Sequence, residues 1–132
     1  MPTLIDFDAP DLAGDVERLS RSDLDTLPFG VMLIETDGAV RFYSETERRQ
    51  SGYPGPMVGR NLFDVSRCFG GEEFRGRIKQ AEEAGPVDIE IAWPGDYSDP
   101  TRELRIRVQT ARGGGLWLFI ERDRAGGRPR RR

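Results

Sequence analysis

The chain has 132 residues, of which 36% are hydrophobic and 33% charged, and a net charge of −3. This describes one soluble globular domain with a modest core, no nucleic-acid footprint over its body and no apolar run of membrane-spanning length. There is no histidine and a single cysteine, Cys68, which excludes a Cys-His or Ser-His hydrolase, a histidine-ligated haem and an internal disulfide. The acidic start, Met1 to Asp8, lacks the charge and apolar core of a signal peptide, so a cytoplasmic protein is expected.

Residues 1–27 read as an acidic N-terminal cap with short helices at 10–19 and 22–27, the second capped by Ser22. Leu12, Val16 and Leu19 recur at helical spacing, which favours a docked segment over a loose tail. Phe29 to Ile34 suits a buried strand, Asp37-Gly38 closes a hairpin turn, and Ala39 to Tyr43 returns as a second strand. Ser44 caps a helix to about Gln50, and Ser51-Gly52 ends it because glycine tolerates the left-handed conformation. Met57 to Phe69 holds a short turn or helix. Glu72 to Ala84 is the clearest helix, with Phe74, Ile78 and Ala81 as its apolar stripe and Gly85-Pro86 as its stop. Three strands follow, Val87 to Trp93, Glu103 to Thr110 and Leu116 to Glu121. The strictly alternating one turns Leu104, Ile106 and Val108 to one face.

The order is that of an α+β domain, a five-stranded antiparallel sheet packed on helices, with a core at 28–122. Residues 123–132 are basic and rich in Gly and Pro, the composition of a disordered tail. Nothing in the sequence has the pattern of a metal cluster or a phosphate-cradling loop, so no enzyme is expected.

One polar row stands out. Tyr43, Glu47 and Ser51 are spaced i, i+4, i+8 and would share a face if helical. Each is unremarkable alone, as a strand-end aromatic, a solvated helix residue and a helix terminus. Together they offer a phenol, a carboxyl and a hydroxyl to one buried oxygen, while Cys68 could hold the far end of the same ligand covalently.

The stretches Leu24 to Gly30, Tyr43 with Glu47, Ser51-Gly52, Val58 to Phe63, Asp64-Val65 ahead of Cys68, Glu73 to Arg77 and Leu116 to Arg122 occur in a characteristic order. In these, about three quarters of the chain resembles the photoactive yellow protein family, small bacterial blue-light receptors of the PAS superfamily. The resemblance implies a PAS-like fold with an N-terminal helical cap. It also implies a p-coumaric acid (4-hydroxycinnamoyl) chromophore in thioester linkage to Cys68, its phenolic oxygen held by Tyr43 and Glu47, with Ser51 behind Tyr43. Tyr53, Phe63, Arg67, Trp93 and Tyr97 are expected to line the pocket. Phenols titrate near ~10, so a buried phenolate needs donors, here Tyr43 and a protonated Glu47. Stabilising that anion moves absorption into the blue. Light would isomerise the chromophore from trans to cis, draw a proton from Glu47, leave a costly buried carboxylate and loosen the cap.

The chain departs from the family pattern in two places beside the site. Arg67 stands where proline usually precedes the cysteine, and Tyr53 where an arginine usually covers the ring. These changes bear on colour and recovery more than on the thioester. The alternative is a chromophore-free or other-ligand PAS sensor or interaction domain. The flavin-sensor motif is absent around Cys68, so no flavin, haem or metal is expected. The expected partner is a separate downstream signalling protein, with neither nucleic acid nor membrane involved, and the chain a monomer or weak dimer.

Overall fold

The computed structural model describes residues 5–52, 55–65, 72–94 and 102–122. In chain order these give α1 (Leu12–Glu17), α2 (Arg21–Leu24), β1 (Gly30–Ile34), β2 (Val40–Tyr43), α3 (Glu45–Ser51), α4 (Leu62–Val65), α5 (Glu72–Glu83), β3 (Asp88–Pro94), β4 (Glu103–Thr110) and β5 (Leu116–Arg122). The strands form one antiparallel sheet of order β2-β1-β5-β4-β3. The first and last strands of the core thus lie side by side at its centre. This order is not contained in local periodicity.

Side chains alternate across the sheet. On the inner face, Met32, Ile34, Leu104, Ile106, Val108, Leu118 and Ile120 pack with Phe74 and Ile78 of α5. On the outer face, Val31, Leu33, Trp117 and Phe119 meet Phe7, Leu12, Val16, Leu24 and Leu27 of the N-terminal segment. β1 is buried along its whole length, as its uninterrupted apolar run requires.

Polar contacts fix the outer layer. Arg107 donates to the backbone carbonyls of Phe7 and Ala9, both at 2.7 Å. Gln109 accepts from Ala13 N–H at 2.7 Å and donates to the Pro10 carbonyl at 3.1 Å. Trp117 donates its indole N–H to Glu17 at 2.8 Å.

One local expectation changes. The cap of α2 is Ser20, whose hydroxyl accepts from Asp23 N–H at 3.1 Å, two residues ahead of Ser22, which sits inside the helix. Tyr43 is the last residue of β2, as expected, and Ser44 caps α3. The expected left-handed glycine after α3 is present, Gly52 at φ 76°.

Candidate functional site

Ser44 positions the polar row. Its hydroxyl accepts from the N–H groups of Glu47 and Val31, both at 3.1 Å, which ties the first turn of α3 to β1. Thr46 adds a second tie, its hydroxyl lying 2.7 Å from the Leu27 carbonyl and 3.0 Å from that of Asp25. The start of α3 is thereby pinned to both β1 and the end of the N-terminal segment.

Glu47 then points into the protein, only 1% exposed. Its carboxyl lies against the backbone of β1 at Gly30. A Cβ added to Gly30 would stand 1.9 Å from one carboxylate oxygen and 2.9 Å from the carboxyl carbon, so glycine is what leaves room for it. One turn on, Ser51 is buried and shares a 3.1 Å hydrogen bond with the Tyr43 hydroxyl. Tyr43 reaches it from the strand, so the row expected on one helix face is assembled from a strand end and a helix.

The partner of Glu47 is Arg122, at the end of β5. Its two terminal nitrogens donate to the two carboxylate oxygens, each at 2.7 Å. Both side chains are almost wholly buried, at 3% for Arg122 and 2% for Glu47. A planar guanidinium matched to a carboxylate in this bidentate way is the strongest form of the pair. Arg122 also approaches the Gln50 side-chain oxygen at 3.4 Å, and Arg102 donates to the Gln50 carbonyl at 3.2 Å.

Sequence reasoning found Tyr43, Glu47 and Ser51 but missed Arg122. The signal was there in period two. Leu118 and Ile120 face inward, so Arg122 two residues on faces inward as well. Across the sheet Ile120 pairs with Gly30, whose missing side chain admits the carboxyl.

Of the expected pocket lining, Trp93 lies on β3 with its ring edge-on to Phe74, centroids 5.2 Å apart. Phe63 is buried, with the Arg75 guanidinium 4.9 Å from its ring centroid. Phe63 also borders a depression of about 510 Å³ with Thr36, Asp37, Ile78 and Lys79. That depression does not include Tyr43, Glu47 or Ser51. Tyr53, Arg67, Cys68 and Tyr97 lie outside the described residues, as does the basic segment 123–132. Among the described residues no cluster of His, Cys, Asp or Glu could hold a metal ion, and no helix is long and apolar enough to cross a membrane.

For a phenolic oxygen the described residues offer two hydroxyls, those of Tyr43 and Ser51, joined in one hydrogen bond, and the buried Glu47 carboxyl, whose two oxygens both accept from Arg122. Tyr43 and Trp93 pack against the aliphatic inner core.

No family profile matches the chain. It is 26% identical over 122 residues to photoactive yellow protein of Halochromatium salexigens, covering 90% of this chain and 98% of the relative. It is 25% identical over 101 residues to that of Rhodobacter capsulatus, covering 74% and 82% respectively. Among solved structures, the photoactive yellow protein domain of the sensor histidine kinase Ppr from Rhodospirillum centenum superposes with a TM-score of 0.69 at 26% identity, covering 82% of this chain and 97% of that one. The PAS domain of an HTR-like protein from Haloarcula marismortui, at 13% identity, shares the fold with a TM-score of 0.59 over 85% of this chain and 94% of that one. The fold and strand order are those of a PAS domain, and over 90% of its length the chain is similar to photoactive yellow protein, from which it has diverged in sequence.

Proposed function

We propose that the chain is a light receptor of the photoactive yellow protein type, with a p-coumaroyl group in thioester linkage to Cys68 and its phenolic oxygen at Tyr43 and Glu47. The observation that carries this reading is the Tyr43–Ser51 hydrogen bond beside the buried Glu47 carboxyl, in a chain of this family. When bound, the group supplies light absorption, in the blue as its phenolate, and trans–cis isomerisation about its double bond.

The protein's own residues do the rest. Cys68 anchors one end through its sulfur. Tyr43, oriented by Ser51, donates to the phenolic oxygen at the other. Glu47 holds or releases one proton at that oxygen. A change of charge at a carboxyl this deeply buried is costly by several kcal/mol, comparable with a small domain's whole stability. Loosening of the N-terminal segment relieves it, and a separate signalling protein reads the exposed outer face. That segment is held by an apolar contact together with hydrogen bonds from Arg107 and Gln109.

The test is to add activated p-coumarate to the purified protein, then take the denatured mass and the absorption spectrum. A coumaroyl-sized gain on Cys68, with a band that bleaches in light and recovers in the dark, is the expected result. A folded protein with an accessible thiol and no adduct would overturn it. One observation favours a second reading, a PAS domain without chromophore. Among the described residues the Glu47 carboxyl is already paired with a cation, Arg122.

A further inference from the structure

We propose that the outer face of the sheet is a docking site for a segment of a separate protein, apolar along one side and carrying an acid at each end. The chain's own N-terminal segment has that chemistry and occupies the site as an intramolecular competitor. That a signalling protein reads this face rests on the reading above; the chemistry of the face does not.

The face is built from a polar strip beside an apolar one. Arg105, Arg107 and Gln109 project from β4 at alternate positions, with Phe119 opposite Arg107 and Trp117 opposite Gln109 on β5. Val31 and Leu33 of β1 continue the apolar strip, opposite Phe119 and Trp117. The sheet's own acids orient the guanidinium groups. Arg105 gives Nε to Glu90 at 2.9 Å and Nη1 to Glu121 at 3.0 Å, and presents Nη2 outward to Asp8 at 2.5 Å. Arg107 turns Nη2 toward Asp88, 3.7 Å away, and presents Nη1 to the Phe7 and Ala9 carbonyls. Asp88 also accepts from the Gln109 amide at 3.0 Å.

What the face presents is mainly donors, so a segment that fits must bring acceptors. Asp8 supplies a carboxylate at one end. Glu17 supplies one at the other, where one oxygen accepts from the Trp117 indole at 2.8 Å and from Arg112 N–H at 2.9 Å. Between them lie the carbonyls of Phe7, Ala9 and Pro10, ahead of the first turn of α1. The apolar side is Phe7, edge-on to Phe29 with centroids 5.3 Å apart, and the fully buried Leu12 and Val16. Asp88, Glu90 and Glu121 offset the two arginines, so the face does not gather anions in general. Recognition is by directed donors beside an apolar strip.

A separate protein is the occupant that gains from this site. A second copy brings the same segment, but exchanging segments between two copies makes the contacts each copy already has. A separate protein competes with a tethered segment whose effective concentration is on the order of millimolar. Its apparent affinity is low while that segment is docked and rises with the fraction that is loose. The face is thus gated without any change in its own shape.

The test uses the full chain and two synthetic peptides, with neither chromophore nor light. One peptide copies residues 5–20. The other keeps from it only Phe7, Asp8, Leu12, Ala13, Val16 and Glu17, with serine or glutamine elsewhere. In Leu12→Asp/Val16→Asp two fully buried side chains become charged, which undocks the tethered segment. Fluorescence anisotropy should show both peptides binding this variant at least about tenfold more tightly than the wild type. Adding Arg107→Met to it should weaken both peptides roughly tenfold, as should lysine at the two acid positions of the second peptide. Binding unchanged by either alteration would overturn the proposal. So would a double variant that keeps its β1 and β5 amides protected and binds neither peptide, or one that dimerises through the bared face and excludes both. If the double variant does not fold, the wild type decides: with the second peptide at millimolar concentration, amide exchange in α1 should quicken while β5 stays protected, and no such change would overturn the proposal. A failure here leaves the adduct on Cys68 to its own test, and an absent adduct leaves this result untouched.

Discussion

The two faces of the sheet are held by opposite means. On the inner face the apolar core closes over one ion pair, Glu47 with Arg122, both nearly inaccessible to water. On the outer face the contact is also apolar, through Phe7, Leu12, Val16 and Phe119. There, however, Arg105, Arg107 and Gln109 reach out of β4 to polar groups of the N-terminal segment. The inner pair is desolvated, so its attraction is strong and its rupture costly. The outer contacts sit nearer to water, and several are single hydrogen bonds to backbone carbonyls, each with a modest net contribution.

Substitution at Gly30 strikes the inner face hardest. A clash with the far end of a glutamate is normally relieved by swinging the side chain away. Here Arg122 holds both carboxylate oxygens, and the Glu47 Cβ would also stand 3.1 Å from a new Cβ. Gly30→Val should force the pair apart and cost about 3–5 kcal/mol in chemical denaturation, the range for breaking a buried ion pair. If Gly30→Val proved neutral, the carboxyl would have a second resting place, and the contrast between the faces would weaken.

On the outer face the corresponding change is Gln109→Leu. It is close in volume but leaves the Ala13 N–H and the Pro10 carbonyl without their partner. The expected loss is about 1–3 kcal/mol. Amide hydrogen exchange should locate it: faster exchange in α1, with little change in the protection of β5. Equal loosening of both layers would mean that the faces open as one unit.

The strands were legible because alternation has only one period to satisfy. Glu103 to Thr110 is bounded as expected, with Leu104, Ile106 and Val108 all buried on one side. Tyr43, Glu47 and Ser51 were legible as a polar row, and the Tyr43–Ser51 bond follows the expected pairing. What joins them to the rest was not. Arg122 reads as the polar end of an apolar strand, and nothing local says that β5 lies beside β1, where Gly30 opens a space for Glu47. Likewise Arg107 and Gln109 read as the solvent side of β4. Their partners lie about a hundred residues earlier in the chain, a separation that no periodic pattern carries. The acid form expected of Glu47 rested on burial and on a phenolate beside it, and no local pattern pointed to the cation at the end of β5.

Arg105 gives the smallest effect and the sharpest contrast. It reaches Asp8 at 2.5 Å, Glu90 at 2.9 Å and Glu121 at 3.0 Å, and covers the Phe7 ring at 4.9 Å. The hydrogen bond to Glu90 and then that to Asp8 raise its pKa well above the ordinary arginine value, opposed by partial burial. A raised pKa on a base means that the contribution is complete below the unfolded value and is lost only as pH rises through the folded one. For an arginine that window lies at extreme alkalinity, so salt is the usable probe. Asp8 and Glu90 are each about half exposed, so screening should remove most of an interaction worth no more than about 1 kcal/mol. Between low and high sodium chloride, exchange of the amides around Asp8 should quicken, and Arg105→Met should abolish that response. The inner pair, out of reach of counterions, should show none. A salt response of equal size in α3 would mean that water reaches Glu47 and Arg122, and the distinction between the two faces would fail.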